Sequence, residues 1–223
     1  MPRSLWQLIE HVDAERGRLP LIHTTDVAYF NKIRAAGKLI PEKRPEYNNE
    51  LLLFFFYGRP SYRPNHDLKT VDSKCFAPIC MIMNNELLDD CLRIMPCDSG
   101  ALKSGLFSPP VHPSMTGGEE FELAEDPTTP MKLIKLFFGS EKAYFDGKPV
   151  MSVPFDPWTN LAADSYDRLI RNTSNTPLDE RVSAIEIQIG REVELLNRVR
   201  AVVLPQEFLD SPGILDQIRS WGR

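Results

Sequence analysis

The sequence predicts an α+β fold, with strands interleaved among amphipathic helices, and three features carry that expectation. Leu51-Leu52-Leu53-Phe54-Phe55-Phe56 is the most apolar run in the chain and does not alternate, which implies a central strand buried on both faces. Two other strand-like runs each hold one ionisable side chain, His23 within residues 21–25 and Glu186 within residues 183–188. Helical patterns over residues 27–37, 161–171 and 208–221 supply the α component.

In chain order, Leu5, Trp6, Leu8, Ile9 and Val12 describe a short amphipathic helix with Ser4 as its N-cap and an end near Gly17. Residues 19–24 form a brief strand. Asp26 caps the next helix, whose apolar face uses Val27, Phe30 and Ile33 and which stops at Gly37. A polar connection over residues 41–49 leads into the run at 51–56, which Gly58 and Pro60 end sharply. Residues 75–83 make a third strand, with Pro78 near its start, and residues 84–92 a short helix. Residues 96–129, rich in Gly, Pro and Ser, read as an active-site loop, a partner-binding insertion or a mobile stretch. Residues 131–138 resume an apolar pattern of helix or strand, residues 151–158 are interrupted by proline, and residues 161–171 form a helix. A polar lead-in over 176–181 precedes the Glu186 strand. Residues 199–204 make the last strand, stopped by Pro205, and Ser211-Pro212 open the C-terminal helix.

A length of 223 residues suits one domain, 1–223, with residues 96–130 as a loop-rich insertion. The formal charge of −5 gives the surface as a whole no attraction for nucleic acid, although Arg59 with Arg63, or Arg198 with Arg200, can form local basic patches. Cysteines 75, 80, 91 and 97 include no Cys-x-x-Cys pair, and the four histidines are few as co-ligands, so no metal site is expected. Cys80 lies in an apolar run and reads as a small core residue. The N-terminal residues lack a signal-peptide pattern, and no apolar run approaches the roughly 20 residues of a membrane span. The expectation is a reduced, cytoplasmic protein without membrane contact.

Glu186 shares its strand face with Ala184 and Gln188. Burying an ionised carboxylate is costly unless it is partnered or faces a cavity; the alternative is a solvent-facing residue on an edge strand. His23 alone reads as readily as a structural hydrogen-bonder. Thr24 and Thr25 can simply start a helix, Tyr57 and Tyr62 can be packing, and Arg59 and Arg63 can be a solvated strand end. Together, a His strand, an aromatic/Arg strand end and a Glu strand point to one convergent polar site.

With these residues the chain resembles the ADP-ribosyltransferase superfamily, in its histidine-first branch with a catalytic glutamate, and most of all the toxins that modify DNA or RNA. Leu21-Ile22-His23-Thr24-Thr25 followed by Ile33-Arg34-Ala35-Ala36-Gly37-Lys38-Leu39 is similar to the family's opening strand and helix. Ala184-Ile185-Glu186-Ile187 followed by Val199 to Pro205 is similar to its closing strands, and Arg59 lies where the family carries an arginine. The resemblance covers residues 19–64 and 180–209. It implies a split, bent antiparallel sheet with flanking helices and transfer of ADP-ribose from NAD, as co-substrate, to a nucleic-acid or protein acceptor, in a bacterial toxin or anti-phage effector.

The resemblance also implies a role for each residue. His23 donates to the adenosine ribose, with Thr24 alongside. Tyr57 or Tyr62 stacks on the nicotinamide. Arg59, or else Arg63, clamps the pyrophosphate. Glu186 binds the nicotinamide-ribose hydroxyl and stabilises the oxocarbenium charge. The acceptor recognition or lid falls to residues 97–129, and an antitoxin or regulatory protein is an expected partner. The competing expectations are an NAD hydrolase and a non-catalytic binding or regulatory module of the same fold.

Overall fold

The unalternating run does become the centre of a sheet. A computed structural model describes residues 4–61, 74–149, 155–156, 158–171 and 180–222. Its strands are β1 (Leu21–Asp26), β2 (Lys38–Leu39), β3 (Glu42–Arg44), β4 (Glu50–Tyr57), β5 (Pro78–Met83), β6 (Arg93–Met95), β7 (Glu186–Ile189), β8 (Val193–Glu194) and β9 (Val199–Val203). Its helices are α1 (Leu5–Ile9), α2 (Val27–Ala36), α3 (Ser99–Lys103), α4 (Thr129–Phe137), α5 (Glu141–Phe145), α6 (Leu161–Arg171) and α7 (Pro212–Trp221). The main sheet runs β6-β7-β4-β1-β5-β9, with β3 also on β4, and β2 pairs with β8 as a separate ribbon. Every pairing among the described residues is antiparallel. The architecture is therefore mixed α and β around a mostly antiparallel sheet, compatible with the α+β expectation. No helix among the described residues is long and apolar enough to cross a membrane.

Register divides the apolar residues between two faces. Leu21, Phe55, Met81 and Ile187 belong to the large core beneath α1, α4 and α6. Ile22, Phe56, Cys80 and Ala184 form a small cluster on the other face, since Ile22 stands opposite Phe56, and Phe56 opposite Glu186. Cys80 is thus a core residue, 5% exposed.

β1 and β4 stay together only briefly. They pair at Leu21–Tyr57 and Ile22–Phe56. Beyond that point β1 continues along β5 as far as Asp26, while residues 50–52 of β4 turn to β3. The sheet forks there, with His23 at the crotch.

Local chemistry explains the ends of the elements. The Asp26 carboxylate accepts from the Tyr29 amide at 2.9 Å, and Gly37 closes α2 at φ 70° with its amide on the Ile33 carbonyl. Ser4 and Gln7 form a reciprocal capping box at α1, but that helix stops at Ile9, well short of Gly17. Gly58 ends β4 at φ 73°, and a Cβ built there would stand 2.5 Å from a Leu19 side-chain carbon. Gly58→Ala therefore meets a left-handed backbone and a clash together. It is expected to cost about 2 kcal/mol, read as a lower urea midpoint at unchanged slope; an unshifted midpoint counts against this turn geometry.

Several expectations need correction. Residues 84–92 hold a 3-10 turn over Asn85–Asp90 rather than an α-helix, and β5 begins only at Pro78, after a 3-10 turn over Lys74–Phe76. The ambiguous pattern after 131 is helix α4. Residues 96–129 are no loose insertion: Ala101, Leu102, Phe107, Val111, Met115, Phe121 and Leu123 all enter the main core, and Leu123 bridges to Ile94 of β6. Their spacing follows neither a period of 2 nor 3.6, so no periodicity marks them. Most of the proline-interrupted stretch at 151–158 and of the lead-in at 176–181 lies outside the described residues.

Candidate functional site

Glu186 opens β7 between Phe56 of β4 and Met95 of β6. It sits on an interior strand and is 2% exposed, which overturns the edge-strand alternative. Three donors meet its carboxyl group. The Ser99 amide donates to Oε2 at 3.1 Å and the Ser99 hydroxyl to Oε1 at 2.5 Å, while Gln188 Nε2 donates to Oε1 at 2.7 Å. Ser99 is itself fully buried at the start of α3, where Asp98 caps the Ala101 amide at 2.7 Å. The Asp98 amide in turn donates to the Arg181 carbonyl at 3.0 Å, tying α3 to the segment that leads into β7.

The electrostatics oppose one another. Burial, joined by the nearby charge of Asp98, disfavours the ionised form of Glu186, and the Ser99 and Gln188 donors favour it. Burial dominates and pushes the group from its ordinary 4.5 up to about 8. In this closed arrangement Glu186 holds its proton at neutral pH.

Gln188 extends the network. Its Nε2 donates to the Tyr47 hydroxyl at 2.8 Å and its Oε1 accepts from Arg93 at 2.5 Å. Arg93 also pairs with Glu50 at 3.2 Å and Glu122 at 3.3 Å. The Arg93 guanidinium lies 4.7 Å and the Lys103 ammonium 4.5 Å from the centroid of the Tyr47 ring, both as cation–π contacts. Burial, then the proximity of Glu186, raises the Tyr47 phenol well above its usual range. Sequence reasoning missed Ser99, Tyr47 and Arg93. Only Gln188, on the same face two residues from Glu186, carried a readable signal.

The second half of the site is the fork. A cleft of about 430 Å³ opens there, lined by His23, Thr24 and Thr25 of β1, Tyr29 and Ile33 of α2, Leu53 of β4 and Glu42 and Arg44 of β3, among others. The His23 Nδ1 lies 2.9 Å from the Phe54 carbonyl oxygen. A carbonyl has no proton to give, so the ring donates there. Burial lowers the pKa of His23, the ring is neutral, and Nε2 remains an acceptor. In this tautomer Nε2 offers a lone pair, whereas the resemblance implies a donor at His23. The Thr24 hydroxyl donates to the Ser61 carbonyl at 3.0 Å and keeps its lone pairs.

The remaining residues stand elsewhere. Tyr57 is fully buried on the core face, and a Cβ at Gly17 would meet its hydroxyl at 1.8 Å; burial pushes the phenol up to about 12. No nicotinamide can stack on it in this conformation. Arg59 is 6% exposed and donates from one terminal nitrogen to the Tyr144 carbonyl and the Ser183 hydroxyl, each at 3.0 Å. It braces the ends of β4 and β7 rather than facing the cleft. Tyr62 and Arg63 lie outside the described residues. Among the described residues no group of three or more His, Cys, Asp or Glu is placed to hold a metal ion.

Pairing puts Glu186 on the face of Ile22 and Phe56, whereas His23 stands one residue along from Ile22 and its ring packs on Phe55, 5.5 Å between centroids. The two face opposite ways across β4. The fork nevertheless joins both sides: Leu53 lines it from the core face, and Arg44 stacks over Phe54 at 4.9 Å on the other. Phe54 lies 6.5 Å from Tyr47, which reaches Gln188 and so Glu186. Comparison of the chain with protein-family models, curated proteins and solved structures finds no significant match.

Proposed function

We propose that this protein transfers ADP-ribose from NAD to a macromolecular acceptor. The observation that carries the reading is the fork: the three motif-bearing strands β1, β4 and β7 are neighbours, and the sheet parts beside His23 to leave a cleft of nucleoside size. The adenosine half of NAD occupies this cleft, with its ribose hydroxyls donating to His23 Nε2 and accepted by Thr24. The nicotinamide ribose reaches toward Glu186. A charged carboxylate there stabilises the oxocarbenium ion that forms as the glycosidic bond to nicotinamide breaks. The acceptor then attacks the anomeric carbon, and Glu186 takes the acceptor's proton.

For this chemistry Ser99 must release Glu186. Once α3 withdraws, water or substrate restores the polar surroundings that let the carboxyl ionise. The same Ser99 contact favours a second reading, a binding module in which Glu186 is a structural group. Radiolabelled NAD incubated with the purified chain and a cell lysate separates the two. Transfer predicts label in a macromolecular fraction, released by nuclease or by protease according to the acceptor. Label found only in free ADP-ribose makes the protein an NAD hydrolase, and intact NAD favours the binding module.

A further inference from the structure

We propose that Arg44 of β3 is the phosphate-binding group of the fork cleft, so that the cleft takes the diphosphate of an adenine nucleotide and Glu42 competes with it. The inference rests on the reading of the cleft as a nucleotide site and reassigns the part that the family resemblance gives to Arg59.

Arg59 cannot serve without dismantling the fold, since its guanidinium is buried against Tyr144 and Ser183. Arg44 is differently placed. It lines the cleft beside His23, Thr24 and Thr25. Its side chain is one-third exposed, and its nearest carboxylate, Glu42 at 3.4 Å, is on the same short strand and more than half exposed. Its Nε is shielded from water and has no hydrogen-bond partner among the described residues. The guanidinium carbon stands 4.9 Å from the Phe54 ring centroid, and a phosphate that displaces the exposed Glu42 carboxylate can take its place on the terminal nitrogens as a bidentate partner. Lys32, whose ammonium lies 4.8 Å from the Tyr29 ring centroid, adds a second positive charge near the rim. In a second arginine-lined cleft, on α6, Arg168 and Arg171 each bond an aspartate one helical turn away at 2.8 Å.

The charges make a two-sided test. Titration calorimetry of the full chain with ADP and with adenosine should show ADP binding at least tenfold tighter. Arg44→Gln, checked for an unchanged melting temperature, should erase that advantage and leave adenosine affinity unaltered. Glu42→Gln should do the opposite and tighten ADP several-fold, because it removes both a repelling charge and a competing partner. Equal affinity of the wild type for the two ligands, or an Arg44→Gln variant that still prefers ADP, overturns the proposal. An ADP preference that depends on Arg44 in a protein that never consumes NAD sinks the transferase reading and keeps this one. NAD turnover with no effect of Arg44→Gln on ADP binding has the reverse meaning.

Discussion

Glu186→Gln is expected to lower NAD turnover by 100-fold or more while making the protein more stable than wild type at pH 8. The two effects share one cause, a carboxyl group that the closed fold holds neutral. A neutral amide keeps the shape and can still meet Ser99, but it supplies no negative charge to an oxocarbenium ion. For stability the sign follows from the raised pKa. The folded state binds a proton that the unfolded chain releases, so the contribution of Glu186 is complete below pH 4.5. It is lost as pH rises toward about 8. The full interval corresponds to a penalty on the order of 3–5 kcal/mol, comparable to the gain from burying one or two of the neighbouring isoleucines. His23 works against this trend, because a half-buried imidazole whose pKa is lowered by desolvation gains stability as pH rises toward 6.5. The clean readout is therefore the difference in urea-unfolding free energy between variant and wild type. That difference should grow in favour of the variant from pH 4.5 to 8, and wild-type turnover should climb over the same range. A variant that retains full turnover removes Glu186 from the chemistry. A pH-independent stability difference removes the burial account.

Arg59→Ala should be the most destabilising substitution considered, by about 2–4 kcal/mol. It strips the Tyr144 carbonyl and the Ser183 hydroxyl of a shared donor and opens a cavity around Gly147, whose position lies 3.1 Å from an Arg59 nitrogen when a Cβ is built there. The damage would spread, since the Tyr144 hydroxyl donates to the Tyr57 carbonyl at 2.6 Å and accepts from the Ile185 amide at 3.1 Å. Those bonds close the seam between β4 and β7 one residue from Glu186. Equilibrium unfolding in urea should show the midpoint fall, with Arg59→Lys intermediate. A variant of wild-type stability that has lost only nucleotide affinity would return Arg59 to the role of phosphate clamp.

The long elements were legible because their signals are local. The apolar run at 51–56 becomes β4, paired laterally with β1 and β7, and it buries Phe55 and Phe56 on opposite faces although Leu51 stays half exposed. Asp26 and Gly37 mark α2 by their own capping chemistry, and Leu161 to Arg171 carries its helical stripe unaided. Short elements were not legible: β2, β3, β6 and β8 have two or three residues each, too few to show any period. The site divides along the same line. His23, Thr24 and Glu186 announced themselves as polar groups in apolar strands. Ser99 and Tyr47 come from irregular segments, and their meeting with Glu186 is a product of tertiary packing that no spacing encodes. Arg59 and Tyr57 misled for a related reason, because an arginine or tyrosine after a buried strand looks the same whether it faces a ligand or props the backbone.

The slot that β7 occupies governs how the molecule comes into being. β4 and β6 leave the ribosome long before residues 186–189 exist, yet β7 must lie between them. Until then β4 shows an unpaired, strongly apolar flank, the kind of edge on which nascent chains associate. Filling the gap requires contacts between distant stretches of chain, which makes folding slow. A chain interrupted before residue 186 carries every residue that lines the fork cleft and lacks Glu186. A cell making this chain therefore meets a species with an exposed apolar strand edge first, and the closed sheet with Glu186 in place only after β7 has entered between β4 and β6.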